Sequence, residues 1–213
     1  MKPAAIAWDI DGTLVDSEPL HHRALLAASL GWGCDLSDLP DQAFRGVHMH
    51  DVWDILRPRL PQHLDKASWL QAIDAHYTAN TQHLRPIADA VAAVKQLSTL
   101  GIPQVCVSNS GRSVVDANLA ELGIVDDIAF SISLDDVCQG KPHPEPYLSA
   151  CARLGIESSS VVAIEDSRSG AISARQAGLF VVGYASTGGG FNDVDCVIAD
   201  FSQFLDLLQN WQN

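Results

Sequence analysis

Seven polar residues in this chain have the types, and the positions, to do chemistry together. Asp9 and Asp11 follow the apolar run at 3–8, Ser108 and Asn109 close the run at 103–108, and Glu165 and Asp166 follow the one at 160–164. The seventh, Lys141, stands in the irregular stretch K-P-H-P-E-P, just ahead of a helical segment. Any one of the four acids could be a turn former or a helix cap; it is the set, at matching places, that suggests a site. Carboxylates brought to one point repel unless a cation neutralises them, and hard oxygen donors suit Mg²⁺. A site with Mg²⁺, one ammonium and a serine hydroxyl suits a phosphate, whose charge the cations offset and whose oxygens the hydroxyl and backbone N–H groups bind. A carboxylate held against that phosphorus can act as nucleophile and form an acyl phosphate. The second aspartate, two residues on, faces the same side of an extended backbone and can protonate the leaving oxygen.

Such a set needs elements that bring distant residues to one edge. The runs at 3–8, 103–108, 128–132, 160–164, 179–184 and 195–199 read as buried strands. Between them, helical spacing predicts helices around 91–97 and over 114–122, 145–154, 168–177 and 201–211, with Gly123 and Gly178 as stops. Strands alternating with helices predict a parallel α/β sheet, in which binding groups collect at the carboxyl ends of the strands. Residues 17–84 break the pattern. Leu20, Ala24, Leu25 and Ala28, then Val52, Ile55 and Leu56, then Trp69, Ile73 and Tyr77, recur at helical spacing with no strand among them. They predict an all-helical insertion of about 70 residues after the first strand. The expected domains are 1–16 with 85–213, and 17–84.

Composition narrows the function classes. The chain has 213 residues, 47% apolar and 18% charged, enough to bury a core without disulfides or a structural metal. Its 26 acidic residues outnumber 13 lysines and arginines, for a net charge of −13. Without a basic run it is a poor fit to nucleic acid. Five scattered cysteines with no C-x-x-C point to reduced thiols. No run reaches the ~18 apolar residues of a membrane span, and Asp9 and Asp11 interrupt the first apolar stretch where a signal peptide would continue. The expectation is a soluble, cytoplasmic monomer acting on a small phosphorylated metabolite, with neither nucleic acid nor membrane as partner.

D-I-D-G-T-L-V-D-S-E at 9–18 resembles the first motif of the haloacid dehalogenase superfamily of phosphotransferases. V-C-V-S-N-S at 105–110 is similar to the second, Lys141 in G-K-P-H-P-E-P-Y to the third, and V-V-A-I-E-D-S at 161–167 to the fourth. All four occur in family order, and the insertion after the first resembles the helical cap of the β-phosphoglucomutase-like branch. The resemblance implies a Rossmann-like, doubly wound core. It makes Asp9 the nucleophile, and Asp11 the general acid/base that also gives Mg²⁺ its backbone carbonyl. Ser108, Asn109 and Lys141 would hold the phosphoryl group, and Glu165 and Asp166 would complete the metal site, with Asp166 the more direct ligand. Asp11 also argues for phosphate esters over haloacids, since dehalogenation does not need that acid.

Cap residues expected to select the leaving group are Ser17, Glu18 and His21, with Arg45 and Gly46 in the loop F-R-G-V-H-M-H. Two departures from the mutase pattern bear on the reaction. Met49 stands where the branch carries an arginine for a second phosphate, and Ser17 stands where a threonine is usual. A mutase must grip a doubly phosphorylated intermediate, so the missing arginine favours simple hydrolysis. The expectation is a Mg²⁺-dependent phosphatase acting on a sugar or polyol phosphate through an aspartyl phosphate. The alternatives are a phosphosugar mutase and a catalytically silent binding or regulatory protein on the same scaffold. T-G-G-G at 187–190 lacks the helix and lysine of a phosphate-binding loop and reads as a plain loop.

Overall fold

Short apolar runs without a polar interruption are satisfied by strands covered on both faces, and they set the architecture. The structure, a computed structural model, describes residues 3–41, 43–44, 47, 49–185 and 193–210. In chain order its main elements are β1 (Ala5–Trp8), β2 (Val15–Asp16), α1 (Glu18–Gly31), α2 (Met49–Leu56), α3 (Lys66–Thr78) and β3 (Arg85–Pro86). Then come α4 (Ala88–Thr99), β4 (Gln104–Val107), α5 (Arg112–Leu122), β5 (Phe130–Ile132), α6 (Glu145–Leu154), β6 (Val161–Glu165) and α7 (Arg168–Gln176). β7 (Phe180–Tyr184), β8 (Cys196–Ile198) and α8 (Phe201–Asn210) complete the described chain. By packing it divides into a smaller unit, Ser17–Arg85, and a larger one formed by the residues on either side of it.

Six strands of the larger unit form one parallel sheet in the order β5-β4-β1-β6-β7-β8. The parallel α/β sheet expected from the sequence is therefore present. Side chains alternate between its faces. Ala5 and Ala7 join Val105, Val107, Val161 and Ala163 in a cluster with Tyr147 and Ala150 of α6 and Ala171 and Ala174 of α7. On the other side the Trp8 ring packs 5.8 Å from both Phe201 and Phe204 of α8. Helices thus cover both faces, as in a doubly wound sheet.

The strand order creates the switch point where such sheets bind ligands. From β1 the chain goes on to β4, whereas from β6 on the other side it goes to β7. Trp8 pairs with Cys106 of β4 and with Ile164 of β6. That register sets Asp9 level with Val107 on one flank and Glu165 on the other.

Within the smaller unit α1 packs on α3. The predicted stripe Leu20, Ala24, Leu25 and Ala28 is buried, as are Trp69, Ile73 and Tyr77. Trp69 Nε1 donates to Ser29 Oγ at 3.0 Å, and the Trp53 ring lies 5.4 Å from that of Trp69, tying α2 in. Asp65 caps α3 by accepting the Ser68 N–H at 2.9 Å. β2 and β3, two residues each, pair as a ribbon where the chain crosses between units, and Ile87 N–H donates to Leu14 O at 2.9 Å beside it.

Tryptophan at position 8 is large and apolar, as a phenylalanine would be, but it also adds an N–H that must be satisfied when buried. Nε1 donates to Gln104 Oε1 at 3.0 Å, and Gln104 Nε2 donates to Val94 O at 2.9 Å. Trp8→Phe strands the buried Gln104 oxygen and removes ring volume, so we expect a loss of about 2 kcal/mol. Urea unfolding checks this; an unchanged midpoint and slope would contradict it.

Candidate active site

Lys141 is the centre of the site and is buried. Its Nζ donates to Asp9 Oδ1 at 2.8 Å, to Val107 O at 2.7 Å and to Glu165 Oε1 at 2.6 Å. No regular element holds this lysine. Instead, Asn109 brackets its peptide: Oδ1 accepts the Lys141 N–H at 2.7 Å and Nδ2 donates to the Lys141 carbonyl at 2.9 Å. Glu145, at the start of α6, closes the same stretch by accepting the N–H groups of Cys138 and Gln139 at 2.8 and 3.0 Å.

The acids around Lys141 are arranged unequally. Asp9, Glu165 and Asp166 each offer an oxygen within 4.8 Å of the others. Both Glu165 oxygens already accept hydrogen bonds: Oε1 from Lys141 and from the Tyr147 hydroxyl at 2.5 Å, and Oε2 from Ser167 Oγ at 3.3 Å. Asp9 Oδ2 and Asp166 Oδ1 are buried and have no hydrogen-bond partner. Buried carboxylate oxygens left without a donor, on acids that approach within 4.8 Å of one another, are what a hard divalent cation satisfies.

Two glycines permit this crowding. A Cβ at Gly12, whose φ is 92°, would lie 2.0 Å from Asp166 Oδ2. A Cβ at Gly170 would lie 1.9 Å from Glu165 Oε2. Gly12 reads as a turn from the sequence; in the structure it also makes room for a carboxylate.

Electrostatics follow from the burial. Burial pushes the Asp9 carboxyl well above the usual carboxylate range; Lys141 opposes the rise, and Glu165, Asp166 and Asp11 add to it. Burial, reinforced by Glu165, raises Asp166 to about 7. Burial alone would lower the Lys141 ammonium, but Asp9 and Glu165 hold it above the ordinary lysine value. One ammonium therefore leaves the acids short of positive charge.

Asp11 is oriented separately. Its Oδ2 accepts from Ser110 Oγ at 2.9 Å and from Ser108 Oγ at 3.2 Å, and Asn118 Nδ2 lies 3.4 Å from Oδ1. Ser108 Oγ in turn accepts the Ser110 N–H at 2.9 Å. The structure thus bonds Lys141 to Asp9 and Glu165 and brings an Asp166 oxygen within 4.8 Å of both acids, with Asn109 behind Lys141 and Asp11 bonded to Ser108. The remaining candidates belong to the smaller unit. Ser17 is buried at the start of α1, Glu18 stands in its first turn, and the His21 ring stacks 4.4 Å from Tyr77. Met49 opens α2. Arg45, Gly46 and the stretch 187–190 lie outside the described residues.

Acids and one ammonium at the carboxyl edge of a doubly wound sheet define an α/β enzyme built to handle a charged group. The sequence profile of the haloacid dehalogenase-like hydrolases matches residues 3–178, and the chain belongs to that family. It is 29% identical over 183 residues to validoxylamine A 7'-phosphate phosphatase of Streptomyces hygroscopicus subsp. limoneus, covering 84% of each chain. It is 30% identical over 178 residues to hexitol phosphatase B of Escherichia coli K12, covering 81% of this chain and 79% of that protein. CbbY of Rhodobacter sphaeroides shares the fold with a TM-score of 0.86 at 22% identity, over 95% of this chain and 96% of that one. The expected family and its hydrolase class are borne out. Among the described residues no helix is long and apolar enough to cross a membrane.

The raised acids carry a pH dependence. A carboxyl whose folded pKa is raised binds a proton that the unfolded chain has already released, so its contribution to stability declines as pH rises from about 4 through about 7. A divalent cation competes with that proton. The gain in melting temperature on adding a divalent cation should therefore be larger at about pH 8 than at about pH 5.5. Thermal unfolding at both pH values checks this; an equal gain, or none, would contradict it.

Proposed function

We propose that the protein is a Mg²⁺-dependent phosphatase that hydrolyses a small phosphomonoester, a sugar or polyol phosphate, through a phosphoryl group carried on Asp9. The observation that carries this reading is that Asp9 and Asp166, each with a buried oxygen that has no hydrogen-bond partner, come within 4.8 Å of one another, while the other Asp9 oxygen is bonded to the Lys141 ammonium. Asp9 and Asp166 would hold the ion, with the Asp11 carbonyl as a further ligand and Glu165 anchoring Lys141. Bound there, Mg²⁺ supplies the positive charge the acids lack and draws negative charge away from the phosphoryl oxygens. The phosphatase names of relatives at about 30% identity support the phosphomonoester, and the hexitol enzyme among them supports a polyol.

In the first step an Asp9 oxygen bonds to phosphorus as the ester oxygen departs, and Asp11 delivers its proton to that oxygen. Ser108 would bind a phosphoryl oxygen and the Lys141 ammonium would offset the charge through the transfer, which needs positioning and charge neutralisation more than covalent help. In the second step Asp11, now a carboxylate, takes a proton from water as its oxygen attacks phosphorus. The P–O bond to Asp9 breaks, inorganic phosphate leaves, and Asp11 is again protonated. The Ser110 hydroxyl orients Asp11 for both transfers. The alternative, a phosphosugar mutase, would pass the phosphoryl group to a second sugar oxygen in place of water.

Phosphate release from a panel of hexitol, hexose and other metabolite phosphates, with Mg²⁺ and with chelator, tests the reading. We expect chelator-sensitive release from a few related esters, and at least a thousandfold loss, on the order of removing a nucleophile, in Asp9→Asn. Steady turnover by Asp9→Asn, or release indifferent to chelator, would overturn it. Isomer formation from β-glucose 1-phosphate with a bisphosphate primer, without phosphate release, would establish the mutase instead.

A further inference from the structure

Lys141 has three N–H bonds and three acceptors: Asp9, the Val107 carbonyl and Glu165. Its aim is fixed only if all three acceptors are fixed. The Val107 carbonyl is held by the sheet, and Asp9 stands at the end of β1. Glu165 is the one on a long side chain, and its Oε1 is shared between the ammonium and the Tyr147 hydroxyl.

Tyr147 lies on α6 and is fully buried, and its hydroxyl donates to Glu165. Its ring centroid is 5.2 Å from Lys141 Nζ, so it also presents a π face to the cation. Burial, and the negative Glu165 beside it, hold the phenol in its protonated, donating form.

We propose that Tyr147 is a positioning residue. By donating its hydroxyl proton to Glu165 Oε1, it divides that oxygen between two donors and keeps the Lys141 ammonium on Asp9. Without the hydroxyl, Oε1 belongs to Lys141 alone, and the stronger pairing draws the ammonium from Asp9 towards β6. The consequence falls on the phosphoryl-transfer step, where Lys141 must offset charge at Asp9, and not on substrate binding. This rests on the function proposed above.

Tyr147→Phe keeps the ring, its packing and its π face, and removes only the hydroxyl. With p-nitrophenyl phosphate and Mg²⁺ we expect kcat to fall about tenfold while KM stays within about twofold, the cost of one hydrogen bond to a charged group. The same substitution in a Glu165→Met background should have almost no effect, because the shared oxygen is gone. A purely structural role would give equal losses in both backgrounds and would overturn the inference.

A readout independent of turnover is the ¹⁵N–¹H signal of the Lys141 ammonium, assigned by its loss in Lys141→Arg. We expect it to be protected from solvent exchange in the wild type, and shifted and faster-exchanging in Tyr147→Phe. An unchanged signal would overturn the inference even if the wild type hydrolyses phosphate esters. A signal that responds, in a protein that hydrolyses none of the esters, would sustain the inference about Lys141 and reject the proposed reaction.

Discussion

A single buried ammonium facing several buried carboxylates is the constraint on which the rest of this structure depends. Lys141 is bonded to Asp9 and Glu165 in a region nearly closed to water, where desolvation of both partners is costly unless each is fully hydrogen-bonded. Much of the surrounding chain meets that condition. The register of β1 against β4 and β6 sets Asp9, Val107 and Glu165 level, Asn109 clamps the lysine peptide, and Gly12 and Gly170 let carboxylates press against backbone. The arrangement remains unbalanced: the acids outnumber the cation, and burial drives Asp9 and Asp166 towards protonation. Imbalance of this kind disfavours a purely structural cluster and suits a site that takes up further positive charge.

The parts of this design legible in the sequence are those with a local signature. β1, β4 and β6 are nearly unbroken apolar runs, and an apolar run that gives way to polar residues marks both a strand and its carboxyl end. That alone places Asp9, Ser108, Glu165 and Asp166 along one edge. The buried stripes of α1 and α3 were legible for a similar reason, since helical spacing shows in a short window. The ribbon of β2 and β3 was not, because two residues have no period to read.

Partnerships across the sheet were also hidden. Gln104 answers Trp8 from 96 positions away, and Asn118 reaches Asp11 from 107 positions away. Neither residue has a local pattern that reports its partner. Tyr147 falls within the quoted K-P-H-P-E-P-Y stretch, yet as a helix residue it reads as core, and only its depth beside Glu165 reveals the use of its hydroxyl. Glu165 shows the converse. Its type and place suggest a metal ligand, whereas the hydrogen bonds on both of its oxygens suit an anchor for Lys141.

The central claim is that Asp9, held by Lys141 on one oxygen and unbonded on the other, is the atom group that receives phosphorus. Acid-quenching the enzyme during turnover of a hexitol phosphate with Mg²⁺, followed by borohydride reduction and peptide mass spectrometry, tests it most directly, because an aspartyl phosphate is reduced to homoserine. The account predicts homoserine at position 9 and at no other aspartate. Phosphate release with Asp9 unmodified, or homoserine at another position, would contradict it.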